Sequence, residues 1–501
     1  MIVFIAFFLQ PIFSADIWWH LKTGELIWHT NTIPRFDVFS FTNFGTEWVA
    51  HEWLSEWIFY GCYKLAGLSG LILWRSLMAL VVFFLLDRIM HLRKVEPLYR
   101  IAGLLLAIAG TGILWLIRPH LWTVLFTMLL IWILEKQKIT PGHKSLWAIP
   151  LLFIPWVNLH TGYVVGLAAL GIYTLNSSIR YPDKGDLGGL NPTAPGFRGL
   201  FRNPHSAVLV LSSLACLLNP NGYHIFLFPF SFATGALPNY KYVTEWGTPS
   251  FKQVPVFFIM TAGILLLIIR NIYLHFQSKA PELTNNTHHS SLVIRYSLSD
   301  TLLPAFFLAL AFSAVRHAPL FVLIAMPVFC LLLQRASSKS APAAIKQMTI
   351  GIANIEQQTS GYITAWIIIT AASFLLLAGE IPVKIEEKNF PVKAVQYIKE
   401  HNIKGHFFHH YNCGGYLIWH LWPQNKVFID GRNEVHGLRF LEDEYLVMLN
   451  TGTNWQAVAD KYQITHILLP PKEPLVKLLK EDHGWKVLYR DKKAILLVVS
   501  R

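Results

Sequence analysis

The feature that most limits what this chain can fold into is the series of apolar stretches filling its first three-quarters. They run at 2–13, 69–86, 101–117, 120–134, 145–157, 162–178, 205–218, 254–270, 301–315, 318–333 and 362–378. A helix needs roughly 20 predominantly apolar residues to cross a hydrocarbon core. Several of these runs are shorter, which suits half-membrane or fused elements. The expectation is a polytopic α-helical membrane protein with about 11 transmembrane helices. Only 14% of the 501 residues are charged and 53% are hydrophobic, far from the balance of a soluble chain.

The gaps between the runs alternate in character. One set is basic: Arg88, Arg93, Lys94 and Arg100; Lys136, Lys138 and Lys144; Arg180, Lys184, Arg198 and Arg202; Arg270, Lys279 and Arg295; Arg335, Lys339 and Lys346. The positive-inside rule makes this set cytoplasmic, with the N-terminus inside and everything from Asp16 to about residue 68 outside. The net charge of +13 is thereby read as a topology signal. No basic patch lies on a recognisable soluble domain, so nucleic acid is not expected as a partner. Cys62, Cys216, Cys330 and Cys413 are scattered, which indicates neither a disulfide framework nor a zinc site. The opening run lacks a basic n-region, so no cleavable signal peptide is expected. That run is also short for a span, so Met1 is read as an internal start or the first helix as incomplete.

From about residue 382 the chain changes. Charges rise, β-like runs occur at 427–429, 464–469 and 495–499, and helical patterns lie at 391–401, 438–449, 454–462 and 472–482. Strands alternating with helices predict a small α/β domain. The expected organisation is a helical domain over 1–380, with a first outer loop at 15–68, and an extracytoplasmic α/β domain over 381–501. The inner gaps, including the Gly/Pro/Asn-rich 181–204 and the Ser/Asn/His-rich 277–291, read as tethers.

The outer gaps hold the chemistry. Asp16 opens Asp16-Ile17-Trp18-Trp19-His20, and an ionisable group at a membrane boundary is a functional candidate by default. A carboxylate there can take the proton of an acceptor hydroxyl; equally, Asp16 can simply cap a helix. Trp19 and its neighbours offer faces for sugar rings, although tryptophan at this depth is commonly an interface anchor. His51-Glu52 is a second imidazole–carboxylate pair, with Glu56 one helical turn on. It is not the H-E-x-x-H of zinc proteases. Glu52 is either the second acid of the site or a helix-start carboxylate.

Arg118, Arg316 and His317 are cations at outer helix ends, where arginine is disfavoured. A guanidinium forms a planar fork to phosphate oxygens, and neutralising a departing phosphate lowers the barrier to its loss. Snorkelling or an internal ion pair is the alternative. His120, Asn158, His160 and Glu245 fall in the same set of gaps and are expected to line the site with His20 and His51. His20, His120 and His160 together offer imidazoles to a divalent metal, yet histidines spread over separate helices predict ligation poorly. No cofactor is required by this reading. In the outer domain, Gly414-Gly415-Tyr416 leads to Asp430-Gly431-Arg432. Tyr416, Asp430 and Arg432 are candidates for an acceptor surface at the carboxyl end of a strand. A tight turn in which Asp430 and Arg432 pair with each other is the other reading.

The opening motif resembles the first outer loop of GT-C superfamily glycosyltransferases, and the resemblance implies that Asp16 is catalytic. The chain is also similar to bacterial polytopic proteins that share the D-x-W-W-H opening, the H-E-W-L segment (His51 to Leu54), the R-H-x-P-L-F turn (Arg316 to Phe321) and the G-G-Y-L-I-W…D-G-R ending. More loosely, 414–430 resembles the W-W-D-Y-G region of oligosaccharyltransferase catalytic subunits. Tyr411-Asn412-Cys413 replaces its Trp-Trp-Asp, however, so asparagine-sequon binding is not implied. Ile17 stands where many relatives carry a second acid, and no D-x-D occurs in the first loop.

The expected function is transfer of a sugar from a polyprenyl-phosphate-linked donor to a glycan, lipid or protein acceptor, catalysed within the bacterial cytoplasmic membrane. Arg118, Arg316 and His317 would hold the donor phosphate, and Asp16 and Glu52 would act on the acceptor. The rivals are a transporter or channel, and a non-catalytic envelope-assembly protein. Against transport, no internal repeat is evident and few charges fall in the middle of a span.

Overall fold

The computed structural model describes residues 14–140, 142–180, 203–233, 244–277, 297–337 and 390–500, with a few positions between 347 and 354. The apolar runs at 2–13 and 362–378 lie outside the described residues, as do nearly all of the tethers at 181–204 and 277–291.

Seventeen α-helices and four strands form among the described residues. The helical body comprises α1 (Ile17–Thr30), α2 (Trp53–Leu92), α3 (Pro97–Gly110), α4 (His120–Ile139), α5 (Ile149–Leu159), α6 (Tyr163–Arg180), α7 (Pro204–Ala215), α8 (His224–Ala233), α9 (Pro255–Gln277), α10 (Leu298–Ser313) and α11 (Ala318–Ser337). Segment 15–68 is therefore largely helix: it holds α1 and the first part of α2. The chain breaks within α2 at Ala66 and Gly67, the latter at φ +58°, a conformation that favours glycine.

The expectation of about eleven membrane spans does not hold. Among the described residues, two helices are long and apolar enough to cross a membrane: Trp53–Leu92, and Val315–Ser337, which is α11 with the turn before it. Most of the other runs form shorter helices, such as Lys144–Leu159, Pro204–Ala215 and Leu298–Ser313. At 1.5 Å per residue, a helix of 12 residues (Pro204–Ala215) rises about 18 Å, well short of a hydrocarbon core. The run at 101–117 is cut within itself, its helix ending at Gly110.

The basic gaps also have a second explanation. Arg93 lies 2.9 Å from Glu135 and 3.0 Å from Asp300, Lys138 bonds both acids, and Arg100 pairs with Asp87. Several of the supposed topology charges are thus partners in ion pairs between helices, so the alternation no longer fixes an orientation.

Residues 390–500 form α12 (Val392–Glu400), α13 (Gly414–Leu421), α14 (Asn433–Phe440), α15 (Leu446–Leu449), α16 (Trp455–Lys461) and α17 (Pro474–Glu481). With them come β1 (Phe407–His409), β2 (His466–Leu469), β3 (Trp485–Arg490) and β4 (Ile495–Val499), in sheet order β1-β2-β4-β3. β1 and β2 are parallel and the other pairs antiparallel. The 427–429 run makes single bridges to Ser40 and Phe407 and no strand of its own. Alternation of side chains along the strands splits the apolar residues between two cores. Phe407, Leu468 and Leu496 join the core shared with the helical body, while Phe408, Ile467, Leu469 and Leu497 fill a second one.

The two regions are tied together. Residues 36–48 run along the α/β region, with Phe41 N–H donating to the Val427 carbonyl and Val427 N–H to the Phe39 carbonyl, each at 3.0 Å. Arg432, fully buried, pairs with both Asp430 (2.7 Å) and Asp37 (2.8 Å).

Candidate functional site

Five helices start at one place. Asp16 precedes α1, Glu52 precedes α2, Arg118-Pro119 precedes α4, His160 lies just before α6, and Arg316-His317 precedes α11. The side chains at these starts line a single cavity of about 810 Å³. The α/β region closes it with Tyr411, Asn412, Gly431, Asn433 and Glu434. Helix N-termini carry N–H groups without intrahelical partners and the positive end of the helix dipole. Their convergence makes the hollow a natural seat for an anion.

Arg118 is the hub of one wall. Its Nε donates to Ser14 Oγ (2.9 Å), one terminal nitrogen lies 2.8 Å from Asp16, and the other contacts both Glu245 oxygens at 2.7 and 2.8 Å. Arg316 reaches the same Glu245 at 3.8 Å and lies over the Trp246 ring, 4.6 Å from its centroid. Asp16 stands at the N-cap position of α1, but its side chain makes no capping bond. Its carboxylate is turned instead toward Arg118 and the Trp19 indole N–H. Burial raises the Asp16 pKa, and Arg118 opposes that only in part. Burial would raise Glu245 as well, but Arg118 and Arg316 outweigh it and hold the carboxyl below its usual range.

Glu52 lines the same cavity, ringed by imidazoles. Nε2 of His160, His51 and His20 lie 3.5, 3.7 and 3.9 Å from its oxygens. The other ring nitrogen of His20 meets the buried Glu56 at 3.2 Å. Burial pushes the Glu52 carboxyl up to about 7, with His51 opposing and Glu434 reinforcing the shift. A group that titrates there can accept a proton at neutral pH and release it again. His160 accepts the Gly162 N–H on Nδ1 (3.0 Å), which leaves Nε2–H directed toward Glu52. Burial, with the nearby His120 and Arg316, keeps that imidazole neutral.

Of the residues singled out from the sequence, the cavity brings together Asp16, Trp19, His20, His51, Glu52, Arg118, His120, His160, Glu245, Arg316 and His317. Four others sit elsewhere. Asn158 accepts the Trp53 indole N–H and donates to the Ile154 and Leu218 carbonyls, which makes it a brace between helices. Tyr416 is buried against Phe390 and Trp18. Asp430 and Arg432 are fully buried and bonded to each other, so the tight-turn reading is the one the structure adopts. Burial would raise the Asp430 pKa, but Arg432 holds it well below the usual carboxylate range.

What the motif delivers to the cavity is the backbone of Gly431 and the residues after it. Glu434, which accepts the Trp48 indole N–H at 3.2 Å, and Asn433, which accepts the Tyr411 hydroxyl at 2.9 Å, were not foreseen. Their only sequence signal was adjacency to the Asp430-Gly431-Arg432 turn.

His20, His120 and His160 are not grouped as a metal-ligand set among the described residues. Each commits a ring nitrogen to protein, His120 by donating to the Leu114 carbonyl at 2.8 Å. Among the described residues, no group of three or more His, Cys, Asp or Glu side chains is placed to hold a metal ion. No protein-family model matches this chain, and no curated protein matches it.

Proposed function

We propose that this cavity is the reaction chamber of a glycosyltransferase that takes its sugar from a polyprenyl-phosphate-linked donor. The observation that carries the reading is the joint placement of two guanidiniums and two proton-accepting carboxyls at a ring of helix N-termini. Loss of a phosphate leaving group develops negative charge on its oxygens, which Arg316, Arg118 and the helix ends are positioned to stabilise. His317, whose Nδ1 is bonded to the Leu310 carbonyl at 3.0 Å, extends the same wall.

The chemistry follows from these groups. An acceptor hydroxyl attacks the anomeric carbon, its O–H bond breaks, and the sugar–phosphate bond breaks with the electron pair leaving on the phosphate. Glu52, which titrates near neutrality, takes the proton. Asp16, held against Arg118, places negative charge beside the developing positive charge of the sugar. A lipid-borne donor suits a chamber reached from a membrane. The two helices long and apolar enough to cross one among the described residues, Trp53–Leu92 and Val315–Ser337, begin at the cavity wall. The proposal places this end at the extracytoplasmic face of the bacterial cytoplasmic membrane, and membership of the GT-C superfamily is proposed with it on the opening motif alone.

The test uses the full chain reconstituted in vesicles with polyprenyl phosphates carrying radiolabelled hexoses or pentoses. Label should leave the lipid for water or added acceptor, and Asp16→Asn and Glu52→Gln should each slow it about 10²- to 10⁴-fold. Equal turnover by wild type and both variants would overturn the assignment.

A further inference from the structure

Charge counting at the guanidinium wall leads beyond the reading above, on which it rests. Arg118 and Arg316 supply two positive charges, and Asp16 and Glu245 supply two negative ones within ion-pair distance. Among the described residues the wall is therefore neutral as it stands. A phosphate arriving at it meets a seat already occupied by a carboxylate, since Glu245 lies between the two guanidiniums and touches both. The occupancy is lopsided. Both Glu245 oxygens crowd one nitrogen of Arg118, while Arg316 keeps only a 3.8 Å contact and rests its guanidinium plane on Trp246. A carboxylate holds its two oxygens in one plane and here spends both on Arg118; a phosphodiester sets its two free oxygens at a tetrahedral centre, farther apart, so that each can face a different guanidinium.

We propose that Glu245 is a placeholder for the donor's phosphate group: its carboxylate neutralises Arg118 and Arg316 in the empty chamber and is displaced when the phosphate binds. The exchange conserves charge for a phosphodiester, because one negative group leaves as another enters. Asp16 keeps its place on Arg118 throughout. The same device acts on release. Once the sugar has gone, the lipid phosphate is a monoester, and Glu245 returns to compete for the two guanidiniums and helps expel it. Glu245 is held for this by a short turn, Thr244–Trp246, whose next residue, Gly247, accepts the Val315 N–H at 2.8 Å. The placeholder is thus anchored beside Arg316 while its side chain, about a third exposed, is able to swing.

The experiment titrates the full-length protein in detergent with farnesyl phosphate, and with farnesol as the phosphate-free control, following the fluorescence of Trp246 against a Trp246→Phe blank. Glu245→Gln should bind farnesyl phosphate about tenfold more tightly or better, since the phosphate no longer competes with a carboxylate. Its affinity for farnesol should not change. Arg316→Met should abolish the gain when combined with Glu245→Gln. Should Glu245→Gln fold poorly, Glu245→Ser provides the same removal of charge with a smaller side chain. Unchanged or weaker phosphate binding in a folded Glu245 variant overturns the proposal, as does equal tightening for farnesol. Binding needs no sugar and no turnover, so the transfer reading can fail in its own assay while this result stands, and the reverse.

Discussion

At the scale of single residues, burial decides what the carboxyls can do. Glu52 and Asp430 are both acids enclosed by protein, yet they shift in opposite directions. Arg432 sits on Asp430 at 2.7 Å, while imidazoles ring Glu52 at 3.5–3.9 Å. A Glu52 carboxyl at about 7 gives a signed prediction. If the ionised form is the base, transfer should rise with pH through about 7, and Glu52→Gln should remove that limb from the rate profile. Stability runs the other way. A folded pKa above the unfolded value of about 4.5 means the folded state binds more protons between those values, so stability falls as pH rises from about 4.5 to 7. Glu52→Gln should therefore stabilise the protein at pH 8, by roughly 2 kcal/mol, and much less at pH 4, as read from denaturant midpoints. A gain in stability coupled to a loss of activity is what a residue kept for function rather than folding produces.

At the scale of elements, Gly414 and Gly431 of the α/β region do different work. A Cβ on Gly431 would come within 2.2 Å of Asp16 Oδ1, the end of a side chain that can move. A Cβ on Gly414 would come within 2.0 Å of the Ile429 carbonyl oxygen, which is backbone. Gly431→Ala should thus push Asp16 off Arg118 and cut transfer about 10²-fold, while the melting temperature hardly moves. Gly414→Ala should destabilise the fold by about 1–3 kcal/mol or more, because backbone must yield. Melting curves and transfer rates on the pair separate the two effects. The sequence did not show what lies against Gly431. That depended on α1 lying against the D-G-R turn, a contact between residues about 400 positions apart.

At the scale of the whole molecule, the buried Asp37–Arg432–Asp430 group joins the helical body to the α/β region, with the guanidinium sandwiched between Phe39 and Trp48. Removing one member of a buried ion pair leaves the others without compensation, so Arg432→Met should cost about 3–5 kcal/mol. The folded Asp430 pKa lies below its unfolded value, so its contribution is fully present above the unfolded pKa of about 4 and is lost as pH falls below it. Acid should therefore loosen this junction first. Asp430→Asn should flatten the acid limb of an unfolding curve followed by the fluorescence of Trp48.

The sequence by itself determined the local matters. It showed an apolar helical body followed by a charged region with strands, and it showed that polar motifs sit at the ends of apolar runs. Those motifs were legible because they stand where apolar runs begin, and a helix start leaves N–H groups and a positive dipole end that favour Asp and Glu, so much of the chemistry of the cavity was written at the starts of α1, α2, α4, α6 and α11. Only the tertiary structure decided how long each helix is, because composition does not show where a turn ends it. It also decided which polar residues face the cavity and which brace the fold. Asn158 and Arg432 carry the same donors and acceptors as any site residue, and what assigned them to packing was the partner each met across the chain.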